Sequence, residues 1–263
     1  SLAMGDAVNA QFKKFLRAII VGTEINARIA AAVGNSALVA GINPNSLVPS
    51  LGAALSVGVL LDFDKEQMED ALGIACSISP LSLYHITSGF QPPHHLGNSI
   101  PLVVGKAAAV GVEASLLVSR GFTGSSCILD GEKGFCNAIG KRPNMKNIID
   151  KLGKSYVIQK SYFKIYPTCR FFHAVIDCTL ELVERYGIHP GSIESVKVFV
   201  PKTVYEMGST YTNIESQPIE CATFSLPYAV ATALLDGESI TLPGFATDMS
   251  RPRRYPHIHK MGK

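Results

Sequence analysis

Between Phe163 and Cys178 the sequence reads FKIYPTCRFFHAVIDC, which sets a lysine, a tyrosine, a cysteine, an arginine and a histidine close together: Lys164, Tyr166, Cys169, Arg170 and His173. Tyr166-Pro167 breaks the preceding run, because proline offers no N–H and restricts the residue before it. The spacing therefore predicts a helix starting at Cys169 or Arg170. The free N–H groups and dipole of such a start favour an anion. Lys164 and Arg170 add formal charge, and a guanidinium can grip a carboxylate through two parallel hydrogen bonds. His173, about one turn further on, can donate to a carboxylate or carry a proton near neutral pH. Together these residues describe a carboxylate or phosphate site. The competing reading is a pair of solvated cations beside a structural histidine. For Cys169 the commoner case is a buried inert thiol, since no neighbouring residue argues for an activated thiolate.

Other stretches carry weaker chemistry. LYHITSGFQPPHHLGNS is too rich in Gly, Pro, Asn and Ser for regular structure and holds His94 and His95, but adjacent histidines without nearby carboxylates make a poor metal site. GINPNSLVPSLGAA lacks the pattern of a phosphate loop, and GEKGF and LLDGES read as turns. No dinucleotide-binding fingerprint, Ser-His-Asp order or base-stacking surface is visible. The six cysteines (Cys76, Cys127, Cys136, Cys169, Cys178, Cys221) form no CxxC pair and no zinc spacing, as expected of reduced thiols without a metal.

Composition narrows the class. With 263 residues, 47% of them hydrophobic and 17% charged, the chain can bury a sizeable core. A net charge of +3 without a Lys/Arg-rich run argues against a nucleic-acid partner and is compatible with a small anionic substrate. The apolar segment 100–118 is interrupted by Lys106 and Glu113, which suits a buried helix better than a membrane span. SLAMGDAVNA lacks the basic and apolar regions of a signal peptide. These features predict a soluble intracellular protein, cytoplasmic or, in a eukaryote, mitochondrial.

The elements that would position the cluster follow from periodicity. AQFKKFLRAIIVGTEINARIAAAVGN repeats apolar residues at helical steps and stops at Gly34-Asn35. SLVPSLGAALSVGVLL is apolar on nearly every side and so predicts a central helix. DKEQMEDALGIACSIS opens with Asp64 as cap and Gln67 at the capping-box position. PLVVGKAAAVGVEASLLVSRG is a fourth helix, whose Gly105, Ala107 to Ala109 and Gly111 would let another backbone come close. The texture then changes. YVIQKSYFKIY reads as a strand and RFFHAVIDCTLELVERYG as a helix ending at Gly187. In SIESVKVFVP, Val196, Val198 and Val200 alternate against Ser195, Lys197 and Phe199, which predicts a second strand. FSLPYAVATALLDG is a helix with Pro227 in its first turn. The expected fold class is α+β: a large all-helical domain over residues 1–159 and a smaller α/β domain over 160–263.

Six stretches in order, FLRAIIVGTEINARIAAAVG, GAALSVGVLLDFDKEQMEDALGIA, GVEASLLVSRGFTG, DGEKGF, FKIYPTCRFFHAVID and FSLPYAVATALLDG, resemble the MmgE/PrpD family, over about Gly5 to Leu242. That family includes 2-methylcitrate dehydratase and cis-aconitate decarboxylase. The resemblance implies a helical domain with an α/β lid, an active site in the cleft between them, a homodimer and no cofactor such as an iron–sulfur cluster. It also implies lyase chemistry on a small di- or tricarboxylate, with epimerase or isomerase action as a variant of the same proton abstraction. Lys164 matches the family's lid lysine and Cys169 a position held by Cys or His, while Arg170 and His173 follow in register. Tyr205, in VPKTVYEMG, matches a tyrosine that reaches the site in the decarboxylase branch.

The sequence also departs from the family pattern. Family members carry an Asp-rich DFDD-like segment and a histidine that would fall before Ser1. The usual Gly-Phe-His-Pro reads Gly41-Ile42-Asn43-Pro44, which puts Asn43 where a substrate-binding histidine is expected, and Ile100 falls where a lysine is usual. Only a shifted loop would bring His94 or His95 in as replacement. The tail SRPRRYPHIHKMGK leaves the pattern too. The expectation is a chain incomplete at both ends, a fragment or a truncated paralogue, that binds polycarboxylates weakly with little turnover. The alternative is a non-catalytic binding or scaffold protein.

Overall fold

The computed structural model describes residues 1–34, 36–80, 100–202, 204–205 and 222–237. The helices among them are α1 (Leu2–Ala7), α2 (Phe12–Val33), α3 (Ser36–Val39), α4 (Val48–Leu60), α5 (Lys65–Ser77), α6 (Ile100–Val118), α7 (Phe135–Ile139), α8 (Lys146–Ile149), α9 (His173–Tyr186) and α10 (Leu226–Asp236). Described residues up to Ser161 form one unit and those from Tyr162 a second. No helix among them is long and apolar enough to cross a membrane.

In the first unit α4 is the hub, packed against α2, α5 and α6. Its lack of a polar face explains this position: Leu51, Ala54 and Val57 have no exposed surface, so burial on several sides is what stabilises it. Small residues set the spacing. A Cβ on Gly22 of α2 would stand 2.7 Å from the Gly52 carbonyl oxygen of α4, and the Gly52 N–H donates to Asn26 Oδ1 at 3.0 Å. A Cβ on Gly111 of α6 would run into the Ser50 carbonyl of α4, and one turn later Ser115 Oγ donates to the Ala54 carbonyl at 2.8 Å. The small-residue stretch of α6 is thus only partly used for close approach. Gly111 meets α4 as expected, whereas a Cβ on Gly105 would meet nothing within 4 Å among the described residues.

The helix ends follow their local signals. Asp64 and Gln67 form the expected reciprocal capping box on α5. Helix α2 ends where Gly34 takes φ +59°, and α9 where Gly187 adopts the left-handed conformation. Ser225 caps α10 through the Tyr228 N–H, with Pro227 in the first turn. The short helices α1, α3, α7 and α8 have no counterpart in the sequence expectation, since four to six residues are too few to display a period.

Among the described residues neither expected strand is formed. Val157–Lys160 is a 3-10 helix rather than the start of a strand, because the backbone N–H groups of Val157 and Ile158 donate to the buried carboxylate of Glu24, both at 2.9 Å. Along 196–200 burial does alternate, with Lys197 and Phe199 exposed and the three valines half-buried, yet no ladder forms there among the described residues. A strand needs a neighbour for its N–H and C=O groups, and periodicity cannot supply one. In the second unit the described residues therefore give helix on helix. Helix α9 packs on α10, with Phe172, Ile176, Leu226, Tyr228 and Ala229 buried.

Candidate functional site

Helical backbone in the second unit opens at Arg170, as expected, but as a 3-10 turn, and the α-helix follows only from His173. After Tyr166-Pro167 the chain makes a tight turn, with the Thr168 N–H donating to the Tyr166 carbonyl at 2.9 Å. It then forms a 3-10 helix over Arg170–Phe172 before α9 opens at His173. Two hydrogen bonds anchor the turn to the segment ahead of α10: Thr168 Oγ1 and the Cys169 N–H both donate to the Thr223 carbonyl, each at 2.8 Å.

The chemistry-bearing groups gather around this turn. Lys164 Nζ donates to the Thr168 carbonyl at 3.3 Å. Tyr166 lays its ring edge against His173, centroids 5.1 Å apart, and its hydroxyl donates to Asp177 Oδ1 at 2.6 Å. The Arg170 guanidinium lies 4.9 Å from the centre of the Tyr162 ring, a cation–π contact. Lys164 and Arg170 are exposed, and neither forms an ion pair with a carboxylate among the described residues.

His173 is only 4% exposed, and its Nε2 has no hydrogen-bond partner among the described residues. Burial lowers its basicity. The Thr168 carbonyl pulls the other way, Arg170 and Lys164 lower it further, and Asp177 raises it. The net result lies below the usual 6.5, so the ring is neutral at physiological pH. Burial pushes the Cys169 thiol up, only partly offset by the Phe171 backbone and by Lys164, so it remains a thiol rather than a nucleophilic thiolate. The cluster can hold an anion on two cations and present a neutral imidazole and a thiol beside it.

Of the candidate residues, Lys164, Cys169, Arg170 and His173 come together here. Tyr205 is half-exposed, donates its N–H to the Pro201 carbonyl at 3.0 Å, and has no hydrogen bond to the cluster among the described residues. Asn43 belongs to the first unit, where its Oδ1 caps the Pro44–Ser46 turn by accepting the Asn45 N–H at 3.1 Å. His94 and His95 lie outside the described residues. Sequence reasoning missed Thr168, Thr223 and Asp177. Only Thr168 gave a signal, as a hydroxyl residue directly before a helix, where such side chains bind backbone. Among the described residues no group of three or more His, Cys, Asp or Glu could hold a metal ion.

Residues 1–147 match the MmgE/PrpD N-terminal domain and residues 166–260 the MmgE/PrpD C-terminal domain. Similar curated proteins are cis-aconitate decarboxylases. That of Aspergillus terreus (strain NIH 2624 / FGSC A1156) is 26% identical over 93% of this chain and 51% of its own length. Those of Homo sapiens and Mus musculus are 26% and 27% identical, each over 80% of this chain and 42% of their own. The chain thus spans about half the length, or less, of these relatives. Both domain descriptions match in order across most of the sequence, and the chain belongs to the MmgE/PrpD family.

Proposed function

We propose that the second unit is the lid of a lyase acting on a small di- or tricarboxylate, with cis-aconitate the first ligand to try. The observation that carries this reading is the pair Lys164 and Arg170, two exposed cations without an acidic partner among the described residues, set beside a buried neutral histidine. In this reading the two cations clamp carboxylates and stabilise charge that develops beside them. His173 takes or returns a proton, and the Cys169 thiol lies beside the bound anion. Decarboxylation would release carbon dioxide and then protonate the carbanion left behind; dehydration would remove a proton beside a carboxylate and expel hydroxide. The names of the relatives favour the former.

A second reading, binding with little turnover, is supported by Asn43, whose side-chain oxygen is committed to a turn where the family pattern places a histidine. Calorimetry and product assays on the same chain separate the two. We expect cis-aconitate to bind and each of Lys164→Ala and Arg170→Ala to weaken it by about 1.5–3 kcal/mol, the range for charge-assisted hydrogen bonds. Unchanged affinity in both variants would remove the clamp. Carbon dioxide release or unsaturated product from 2-methylcitrate, at rates ordinary for enzymes and abolished by Lys164→Ala, would favour the lyase over the binder. A homodimer belongs to the same reading, supported by the exposed Phe12, Leu16 and Ile20 at four-residue steps along α2. A monodisperse monomer in light scattering would count against it.

A further inference from the structure

One cation of the second unit, Lys164, and the imidazole of His173 meet at one backbone carbonyl, that of Thr168. Lys164 Nζ donates to it at 3.3 Å, and the Thr168 backbone is near enough to the His173 ring to raise its basicity. Nε2 has no partner among the described residues, so the nitrogen to turn toward that carbonyl is Nδ1, and a neutral ring that donates there keeps Nε2 as a bare acceptor. What aims the carbonyl is the other side of the same peptide. In a planar trans peptide the C=O of Thr168 and the N–H of Cys169 point in opposite directions. The Cys169 N–H is held on the Thr223 carbonyl at 2.8 Å, so the Thr168 C=O faces away from Thr223, where Lys164 Nζ meets it. The Thr168 hydroxyl, on that same Thr223 oxygen at 2.8 Å, holds the turn a second time. Thr168 is 3% exposed, and its N–H, hydroxyl and carbonyl are each engaged.

We propose that Thr168 is the positioning residue of the cluster: its hydroxyl, seated on the Thr223 carbonyl, fixes the peptide whose carbonyl orients the Lys164 ammonium and selects the Nδ1-protonated form of His173. The inference rests on the polycarboxylate reading only for its effect on binding; the effect on the imidazole is independent of any ligand. Threonine suits the task because branching at Cβ stiffens χ1, so the hydroxyl is aimed with little loss of freedom. Valine has the same shape without the donor and would remove this second anchor from the Thr223 carbonyl.

The test compares the full chain with Thr168→Val and Thr168→Ser. Imidazole 15N shifts should show His173 protonated at Nδ1 in the parent and in Thr168→Ser, and a mixture of tautomers in Thr168→Val. Calorimetry with cis-aconitate should show Thr168→Val about three- to tenfold weaker, as expected for one ordinary hydrogen bond, with Thr168→Ser within about twofold of the parent. A parent His173 protonated at Nε2 overturns the proposal, as does a Thr168→Val chain with unaltered tautomer and affinity. If the parent binds no cis-aconitate, the polycarboxylate reading falls, and the tautomer comparison alone decides Thr168. Should Thr168→Val fail to fold, hydrogen exchange at the Cys169 amide of the parent decides: strong protection supports the pin, and exchange at the rate of an open turn removes it.

Discussion

In the first unit, Glu24 and Arg28 sit one helical turn apart on α2, both buried, and their polar groups are taken up. Arg28 Nε donates to Glu24 Oε1 at 2.6 Å, one terminal nitrogen donates to the Ile148 and Asp150 carbonyls, and the other to the Ser155 carbonyl. Glu24 accepts the Val157 and Ile158 N–H groups with its two oxygens. In the second unit His173 is buried as deeply, yet one of its nitrogens has no partner among the described residues, and the cations nearby are exposed. A saturated polar cluster does structural work; one left with an open acceptor and uncommitted charge is suited to something that arrives later.

The sharpest way to break that contrast is to remove Arg28. Arg28→Ala leaves Glu24 buried without its partner, and urea unfolding should show a loss of about 3–5 kcal/mol. The double variant Glu24→Leu/Arg28→Met should recover little of it, unlike a plain ion pair, because the carbonyls at 148, 150 and 155 and the amides at 157 and 158 lose their partners as well. Next in size, and opposite in kind, Lys164→Ala/Arg170→Ala should abolish the binding of cis-aconitate while changing stability by less than about 0.5 kcal/mol, as surface substitutions usually do.

Acid should separate the two units. Burial alone would raise the Glu24 carboxyl, but the Val157 and Ile158 N–H groups and Arg28 outweigh it and hold it below its usual 4.5. Its contribution is then full above pH 4.5 and is lost as pH falls from there through the depressed folded value. His173 is also depressed, from 6.5, so its contribution is full above pH 6.5 and drains away below it as the unfolded chain takes up a proton that the folded one resists. Unfolding followed from pH 7 to pH 3 should show a first loss removed by His173→Gln and a second, at lower pH, removed by Glu24→Gln. A single loss at low pH would mean that His173 is not buried as described. The smallest effect concerns the thiols. Burial pushes Cys76 up to about 12 and Cys136 up to about 11, so alkylation at pH 8 should label the exposed Cys127 and Cys178 and spare these two.

Sequence reading located the long helices well, because each carries its own signal: a period across many residues in α2, a capping box at Asp64, a left-handed glycine at Gly187. It brought out the cluster of Lys164, Cys169, Arg170 and His173 through residue type, since two cations, a thiol and a histidine around one turn are an uncommon mixture. It failed where the outcome depended on a distant partner. Nothing in YVIQK announces that Glu24 will take its amides and curl it into a 3-10 helix, and nothing in YPTCR announces the Thr223 carbonyl. Hydrogen bonds between segments far apart along the chain leave no local period to read.

The partners of the Glu24–Arg28 pair lie 120 positions away at Ile148 and 134 away at Ile158. That distance has a consequence during synthesis. Helices α2, α4, α5 and α6 can meet as soon as residue 118 has left the ribosome, but the carboxylate and guanidinium they would enclose are not neutralised by backbone until residue 158 has emerged. In the interval α2 must keep that face wet or tolerate charges without their backbone partners, so the helical unit should stay loosely packed and open to chaperones until its last forty or so residues close over α2. The order in which the chain appears, as well as its final contacts, is thus written into two side chains on one helix.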